Sequence, residues 1–111
     1  MEIQEQSQGA VSVIKPVGPL VEADAAQFKA RAMDLIARNL GRVVVDAAGL
    51  QFVDSPGLET LVDLTEELAQ SGRALKLCSA NATLLKVLEL TGWADAFEYF
   101  DDVNSGVRSF L

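Results

Sequence analysis

The middle of the chain combines a short apolar run with the start of an amphipathic helix. Residues 43–45 are all valine, and Asp46 closes the run. A short β-branched run of this kind is typical of a strand that is buried on both faces. After a predicted loop over 47–53, Ser55 is predicted to be a helix N-cap, with Pro56 at the first helical position. The pattern therefore predicts a hydroxyl group at the positive end of a helix.

The N-terminal segment predicts a β-hairpin. Residues 2–7 alternate weakly between apolar and polar, and residues 10–15 alternate more clearly. Gln8-Gly9 is predicted to turn the chain between them. The segment 16–20 contains two prolines, which have no N–H to donate, so we expect regular strand pairing to end there.

Apolar positions at helical spacing predict four helices. Their predicted N-caps are Asp24, Ser55, Asn81 or Ser79, and Asp101 or Asp102. The first helix is predicted to end near Asn39, the second near Gln70 and the third before Gly92. The positions predicted to face the core from the second and third helices are Leu58, Leu61, Val62, Leu64, Thr65, Leu68, Ala69, Leu84, Leu85, Val87 and Leu88.

Strands and helices alternate over the second half of the chain. Apolar segments at 42–46, 74–78 and 97–100 are each followed by a helical pattern. Short alternation of this kind predicts parallel strands joined by crossover helices, to which the hairpin adds an antiparallel strand. The prediction is an α/β fold over residues 1–111 as a single domain, with a mixed β-sheet and about four helices packed largely on one side.

The charge balance narrows the classes of partner. Sixteen acidic and nine basic residues give a formal net charge of −7. A nucleic-acid binder needs a basic surface, and anionic lipid also attracts basic segments, so neither partner is expected. A basic protein surface is the expected partner. No apolar run approaches the length that crosses a bilayer, which favours a cytoplasmic protein without membrane insertion.

The inventory of reactive side chains argues against an enzyme or a metal protein. The chain has one cysteine, Cys78, and no histidine. This excludes a disulfide within the chain, a zinc site of cysteine and histidine, and histidine-based catalytic triads. The glycine-rich loops that bind nucleotide phosphates are also absent from the sequence. We therefore predict neither a cofactor nor a bound metal.

Three polar residues near strand ends carry candidate functions. Ser55 is either a structural cap or a phosphorylation site, where a phosphate would face free helix N–H groups and the helix dipole. A partner docked there would then meet almost two new negative charges. Asp54 is either a second capping carboxylate or a contact to a partner or to a kinase's metal. Asp46 either faces a ligand or bonds the loop that follows it.

Four segments together resemble the STAS family, the domain of bacterial anti-sigma factor antagonists and of sulfate-transporter tails. Residues 41–46 (GRVVVD) and 52–58 (FVDSPGL) are similar to its strand, loop and Asp-Ser-x-Gly-Leu segment. Residues 85–92 (LKVLELTG) and 97–101 (FEYFD) are similar to its C-terminal signature. The resemblance implies a mixed sheet with helices largely on one side.

The resemblance also implies a mechanism. Unphosphorylated antagonists of this family bind an anti-sigma factor that is also an ATP-dependent serine kinase. Phosphorylation of the serine abolishes binding, and a serine phosphatase restores it. Carried to this chain, the phosphorylated residue is Ser55, and the partner-binding residues are Asp54, Ser55, Pro56, Gly57 and Glu59.

Two positions depart from the family pattern. Pro56 stands where serine or threonine is common, and Glu59 stands where a small residue is common. Proline suits the first turn of a helix, while Glu59 is expected to lie near a phosphate on Ser55 and repel it.

Two other functions are compatible with the resemblance. One is a constitutive STAS subunit bound to a transporter ATPase, as in bacterial lipid-transport complexes. The other is a nucleotide-binding or small-ligand-binding STAS domain that uses the loops around Asp46 and Asp54.

Overall fold

The computed structural model describes all 111 residues and contains one six-stranded sheet with four α-helices. The strands are β1 (Glu2–Gln8), β2 (Val11–Leu20), β3 (Val43–Asp46), β4 (Leu50–Val53), β5 (Leu75–Cys78) and β6 (Phe97–Phe100). The helices are α1 (Glu22–Arg38), α2 (Ser55–Ala69), α3 (Ala82–Leu90) and α4 (Val103–Arg108). The predicted α/β fold with a mixed sheet is confirmed.

The strand order is β1-β2-β3-β5-β6, and β4 also pairs with β2. The predicted hairpin is confirmed, because β1 and β2 are antiparallel, whereas every other pair is parallel. β3 pairs with residues 12–14 of β2, and β4 pairs farther along the same strand, at residues 18 and 20. The chain over 43–53 is therefore a strand interrupted by a 3-10 turn at Ala47–Gly49.

The prediction of a loop over 47–53 is wrong for its second half. Residues 50–53 form β4, in which Leu50 is buried in the main core while Gln51 and Phe52 are exposed. Phe52 and Val53 favour a strand, but the segment has only four residues, and its pairing with β2 places it in the sheet.

The prediction that pairing ends at Pro16 is also wrong. β2 continues to Leu20, and Pro16 lies opposite Ile3 of β1. On its other side, Pro16 falls between the stretch that pairs with β3 and the stretch that pairs with β4. Because the ladder is interrupted there, a residue without an N–H is tolerated within the strand.

Two hydrophobic layers enclose the sheet. The larger layer joins Val43 and Val45 to side chains of α1, α2 and α3, among them Phe28, Leu61 and Leu84. On the opposite face, residues of and just after α4 cover a smaller layer, which consists of Val11, Val13, Val44 and Cys78. Because side chains alternate along a strand, the valine run of β3 supplies both layers. Three helices lie on one side and α4 on the other, which confirms the predicted arrangement.

The predicted helix interiors are mostly confirmed. Leu61, Leu64 and Leu68 of α2 are buried, and so are Leu84 and Leu88 of α3. Leu85 and Ala69 were predicted to face the core and are instead exposed, because each helix buries a narrower stripe than the predicted one.

The start of α2 packs directly on the end of β2. Gly57 is buried, and a β-carbon at this position would lie 2.1 Å from the carbonyl oxygen of Leu20. The neighbouring atom is backbone, so it cannot rotate away as a side chain would. Glycine is therefore required for this contact between helix and strand.

We predict that Gly57→Ala lowers the free energy of unfolding by about 3 kcal/mol, because the added methyl group forces the helix off the strand. The control is Gly72→Ala, where nothing lies within 4 Å and the cost comes from a positive φ of 74°. That control should lose about 1 kcal/mol. Urea unfolding measures both, and equal losses would contradict the proposed contact.

α4 covers the side chain of Cys78, the single thiol of the chain. Cys78 is fully buried, and a β-carbon on Gly106 of α4 would lie 2.5 Å from its Sγ. Phe110 follows α4, and its ring lies 4.6 Å from Lys76 Nζ. Burial, with smaller contributions from Asp46 and Asp102, raises the pKa of the Cys78 thiol from 9.0 to about 11.

This raised pKa predicts a loss of stability at alkaline pH. The stabilisation from the neutral thiol is fully present below pH 9.0 and is lost as the pH rises towards about 11. Urea unfolding of the wild type and of Cys78→Ala isolates this contribution, because other titrating groups cancel in the difference. The difference should stay constant below pH 9.0 and shrink above it. A difference that stays constant up to pH 11 would contradict the burial of the thiol.

Candidate functional site

The site begins where β4 meets α2. Asp54 is the N-cap of α2, and its Oδ1 accepts a hydrogen bond from the N–H of Gly57 at 2.8 Å. The prediction of Ser55 as the N-cap is therefore wrong, since Ser55 is the first helical residue and Pro56 the second. Both residue types cap helices well, but only this register also lets Asp54 reach a second helix.

The second oxygen of Asp54 holds the start of α1. Asp54 Oδ2 accepts a hydrogen bond from the backbone N–H of Glu22 at 2.9 Å. α1 therefore begins at Glu22, after an N-cap at Val21, and the prediction of Asp24 as its cap is wrong. Val21 offers no capping side chain, so a carboxylate 32 positions away in sequence supplies the acceptor. One carboxylate thus satisfies N–H groups of two helices.

Ser55 lies exposed at this corner, next to the carboxylate that joins the two helix starts. Its hydroxyl group makes no hydrogen bond within the chain. Pro56 has no N–H, Asp54 Oδ1 occupies that of Gly57, and Leu58 N–H donates to the Asp54 carbonyl oxygen at 2.8 Å. Of the N–H groups at the start of α2, those of Gly57 and Leu58 are therefore occupied, and only that of Ser55 itself has no partner. A phosphate on Ser55 would lie next to the Asp54 carboxylate in sequence and could meet at most that one free N–H group, so binding of the phosphate by several helix N–H groups stays a prediction.

The outer face of α2 is acidic. Glu59 is exposed one turn after Ser55 and lies on the same side of the helix. Glu66 and Glu67 are also exposed, farther along α2. Asp63 forms an ion pair with Lys29 of α1 at 2.9 Å, and this hydrogen bond raises the pKa of Lys29. Glu59, Glu66 and Glu67 therefore form an exposed acidic surface along α2.

Asp46 belongs to a different surface. Its Oδ1 accepts a hydrogen bond from Ala48 N–H at 3.1 Å, which confirms the predicted bond to its own loop. Asp46 also lines an open cavity of about 290 Å³ with Gln4, Gln6 and Lys15. The cavity lies on the sheet face that α4 covers in part, since Val13 contributes to both. The structure therefore groups residues 54–59 at the start of α2, while Asp46 lies apart from them.

Asn81 fixes the strand that leads into the site. Its Oδ1 caps α3 by accepting from Leu84 N–H at 2.8 Å. Its Nδ2 donates to the carbonyl oxygens of Leu50 and Gln51 of β4, at 3.1 and 3.2 Å. The sequence pattern predicts the cap, but the link to β4 requires the tertiary structure. The sequence gives no indication that Phe52, two residues before Asp54, is exposed. Its side chain is 47% exposed and is available for a contact.

We predict that Asp54→Ala lowers the free energy of unfolding by about 2 kcal/mol, because N–H groups of two helices lose their acceptor. Asp54→Asn keeps one amide oxygen, so we expect about 1 kcal/mol. Asp102→Ala removes one acceptor at one helix, α4, and should cost less than Asp54→Ala. Urea unfolding measures all three, and an Asp54→Asn variant as stable as the wild type would argue against a double cap, because one acceptor oxygen would then be sufficient.

The STAS domain family model matches residues 2–106 of the chain. The chain belongs to the STAS domain family. This match covers every strand, α1 to α3 and the start of α4, so the whole candidate site lies within the STAS domain.

Solved STAS structures share this fold. A Thermotoga maritima protein assigned as an anti-sigma factor antagonist has a TM-score of 0.86 at 19% identity, over 96% of this chain and 92% of its own. The anti-sigma factor antagonist SpoIIAA of Bacillus is similar in its unphosphorylated form, with a TM-score of 0.78 at 19% identity over 98% and 96%. Its phosphorylated form gives 0.74 at 18% identity, over 99% of this chain and 100% of that one.

A sulfate transporter family protein from Wolinella succinogenes is also similar, with a TM-score of 0.76 at 18% identity over 94% of this chain and 87% of its own. At these identities the similarity establishes the fold alone. No curated protein sequence matches the chain. None of the helices has both the length and the apolar character needed to cross a membrane.

Proposed function

We propose that this STAS domain is a non-enzymatic, cytoplasmic regulator of the anti-sigma factor antagonist type. In this proposal, it binds an anti-sigma factor that is also an ATP-dependent serine kinase, and phosphorylation of Ser55 ends the binding. The observation that carries the proposal is the Ser55 hydroxyl, which is exposed and unbonded on a corner that Asp54 holds rigid. A kinase reaches such a hydroxyl without unfolding the helix.

The geometry supports a switch that acts at the surface. A phosphate adds almost two negative charges next to Asp54 and one turn from Glu59. The N–H groups of residues 57 and 58 are already bonded, so these donors do not compensate the new charge. A partner packed against Ser55 would have to bury the phosphate beside other acids, which costs several kcal/mol. Docking is then lost while the fold remains.

The partner surface in this proposal comprises Asp54, Ser55, Pro56 and Glu59 at the start of α2, and Gly57, which was expected to contact the partner, is buried beneath them. The acidic residues of α2 would contact basic residues of the kinase, in line with the net charge of −7. Gly57 contributes by bringing the helix close to β2, which fixes the height of Ser55 above the sheet. A serine phosphatase would restore the unphosphorylated state.

We predict that wild type and Ser55→Ala used as baits recover the same ATP-binding kinase from lysate, and that Ser55→Asp does not. Aspartate adds a charge at the position of the hydroxyl, whereas alanine adds neither charge nor bulk. The kinase is identified by mass spectrometry, and its affinity for each bait is measured with purified proteins. Circular dichroism of the three baits shows whether they fold alike.

Recovery of one partner by all three baits would contradict the switch. If that partner is a transporter ATPase, the chain is a constitutive subunit of a transporter complex. In that case Ser55 has no regulatory role.

A further inference from the structure

A groove lined by five apolar and two polar residues opens between α3 and β6, at the carboxyl ends of the parallel strands. Its volume is about 240 Å³, and its apolar walls are Leu77, Ala80, Leu85, Tyr99 and Phe100. Leu85 and Tyr99 remain 39% and 40% exposed on its sides. Asp101 lies at its rim. The groove is smaller than the roughly 300–1,000 Å³ of most small-molecule sites, and its size suits one large apolar side chain.

Exposed apolar side chains collect at the end of the molecule that carries Ser55. Phe52, Leu85 and Tyr99 lie at or near this end, on β4, at the start of α3 and near the end of β6. Leu40 and Leu90 are more exposed, at 72% and 73%, but they follow or end helices at the opposite end of the strands. Several apolar groups at one end indicate a contact surface, whereas single exposed leucines do not.

The groove is linked to the Ser55 corner through Asn81 and β4. Ala80 of the groove precedes Asn81, whose amide group binds the carbonyl oxygen of Gln51. From Gln51 to Ser55 the chain advances four residues, which is about 13 Å along a strand. A standard interface covers about 800 Å² per partner, or roughly 30 Å across. One partner is therefore large enough to contact both places.

The charge around the groove defines the chemistry of its occupant. Asp101 lines the rim, and Asp95 adds to the effect of burial in raising the pKa of Tyr99. An acidic rim favours an apolar side chain that is flanked by lysine or arginine, because each charge then meets its opposite.

We propose that this groove receives a leucine-like or phenylalanine-like side chain from a basic segment of the kinase that docks on Ser55. The inference rests on the proposed function and adds a second, phosphate-independent contact to it. Ser55 would then control whether the partner docks, while the groove contributes affinity and selectivity among kinases.

The test compares Leu85→Glu with Leu90→Glu in titrations of the purified kinase. Both changes place one new charge on an exposed position of α3, so their net charges match. We expect Leu85→Glu to bind at least about tenfold more weakly than wild type and Leu90→Glu to bind equally. Leu85→Ala, which adds no charge, should show a smaller loss in the same direction. Circular dichroism and urea unfolding identify any variant that fails to fold.

The outcomes separate the groove from the switch. Equal affinity of Leu85→Glu and wild type overturns the groove contact, whether or not Ser55→Asp loses binding. Weak binding by Leu85→Glu with full binding by Ser55→Asp supports the groove and contradicts the phosphorylation switch.

If no kinase binds, a short peptide of leucines flanked by lysines is titrated in a ¹⁵N NMR experiment. Shifts at Ala80, Leu85 and Tyr99 that vanish with glutamate in place of lysine support the groove. The absence of such shifts overturns it.

Discussion

Asp54 joins the starts of α1 and α2 to the end of β2. Its two oxygens accept N–H groups of Glu22 and Gly57, and its own N–H donates to the Leu20 carbonyl oxygen. Each helix start needs an acceptor for its free N–H groups, and here one side chain serves both. The position of α1, the register of α2 and the exposure of Ser55 all follow from this single group.

The same arrangement explains how a fold and a switch can share one corner. Gly57 lets α2 approach the backbone of β2, so the corner is fixed by contacts on the buried side of the helix. Ser55 takes no part in these contacts and points its hydroxyl outward. A modification of Ser55 therefore changes the charge and shape of the surface that faces a partner, but it removes no hydrogen bond that stabilises the fold. In our proposal, this separation of stability from recognition is the physical basis of the regulation.

Local pattern was sufficient for most of the fold. The valine run of β3, the helical periodicities and the alternation of strands and helices predict the mixed sheet, because these signals act over short distances. The wrong predictions concern elements whose structure depends on contacts between residues that are far apart in sequence. β4 forms only beside β2, Pro16 is tolerated because the ladder is interrupted there, and α1 begins at a cap supplied by Asp54. The cap of α2 by Asp54 is a local contact, but its second bond, to Glu22 N–H, joins residues 32 positions apart and has no signal in the sequence.

The central claim is that phosphorylation of Ser55 abolishes docking while the Asp54 corner keeps its structure. The most direct measurement compares the affinity of the purified kinase for the unphosphorylated protein and for protein phosphorylated at Ser55, with urea unfolding of the same two samples. The account predicts that affinity falls by about 100-fold or more, while the free energy of unfolding changes by less than about 0.5 kcal/mol. Equal affinities would contradict the switch, and a loss of binding accompanied by unfolding would contradict its location at the surface.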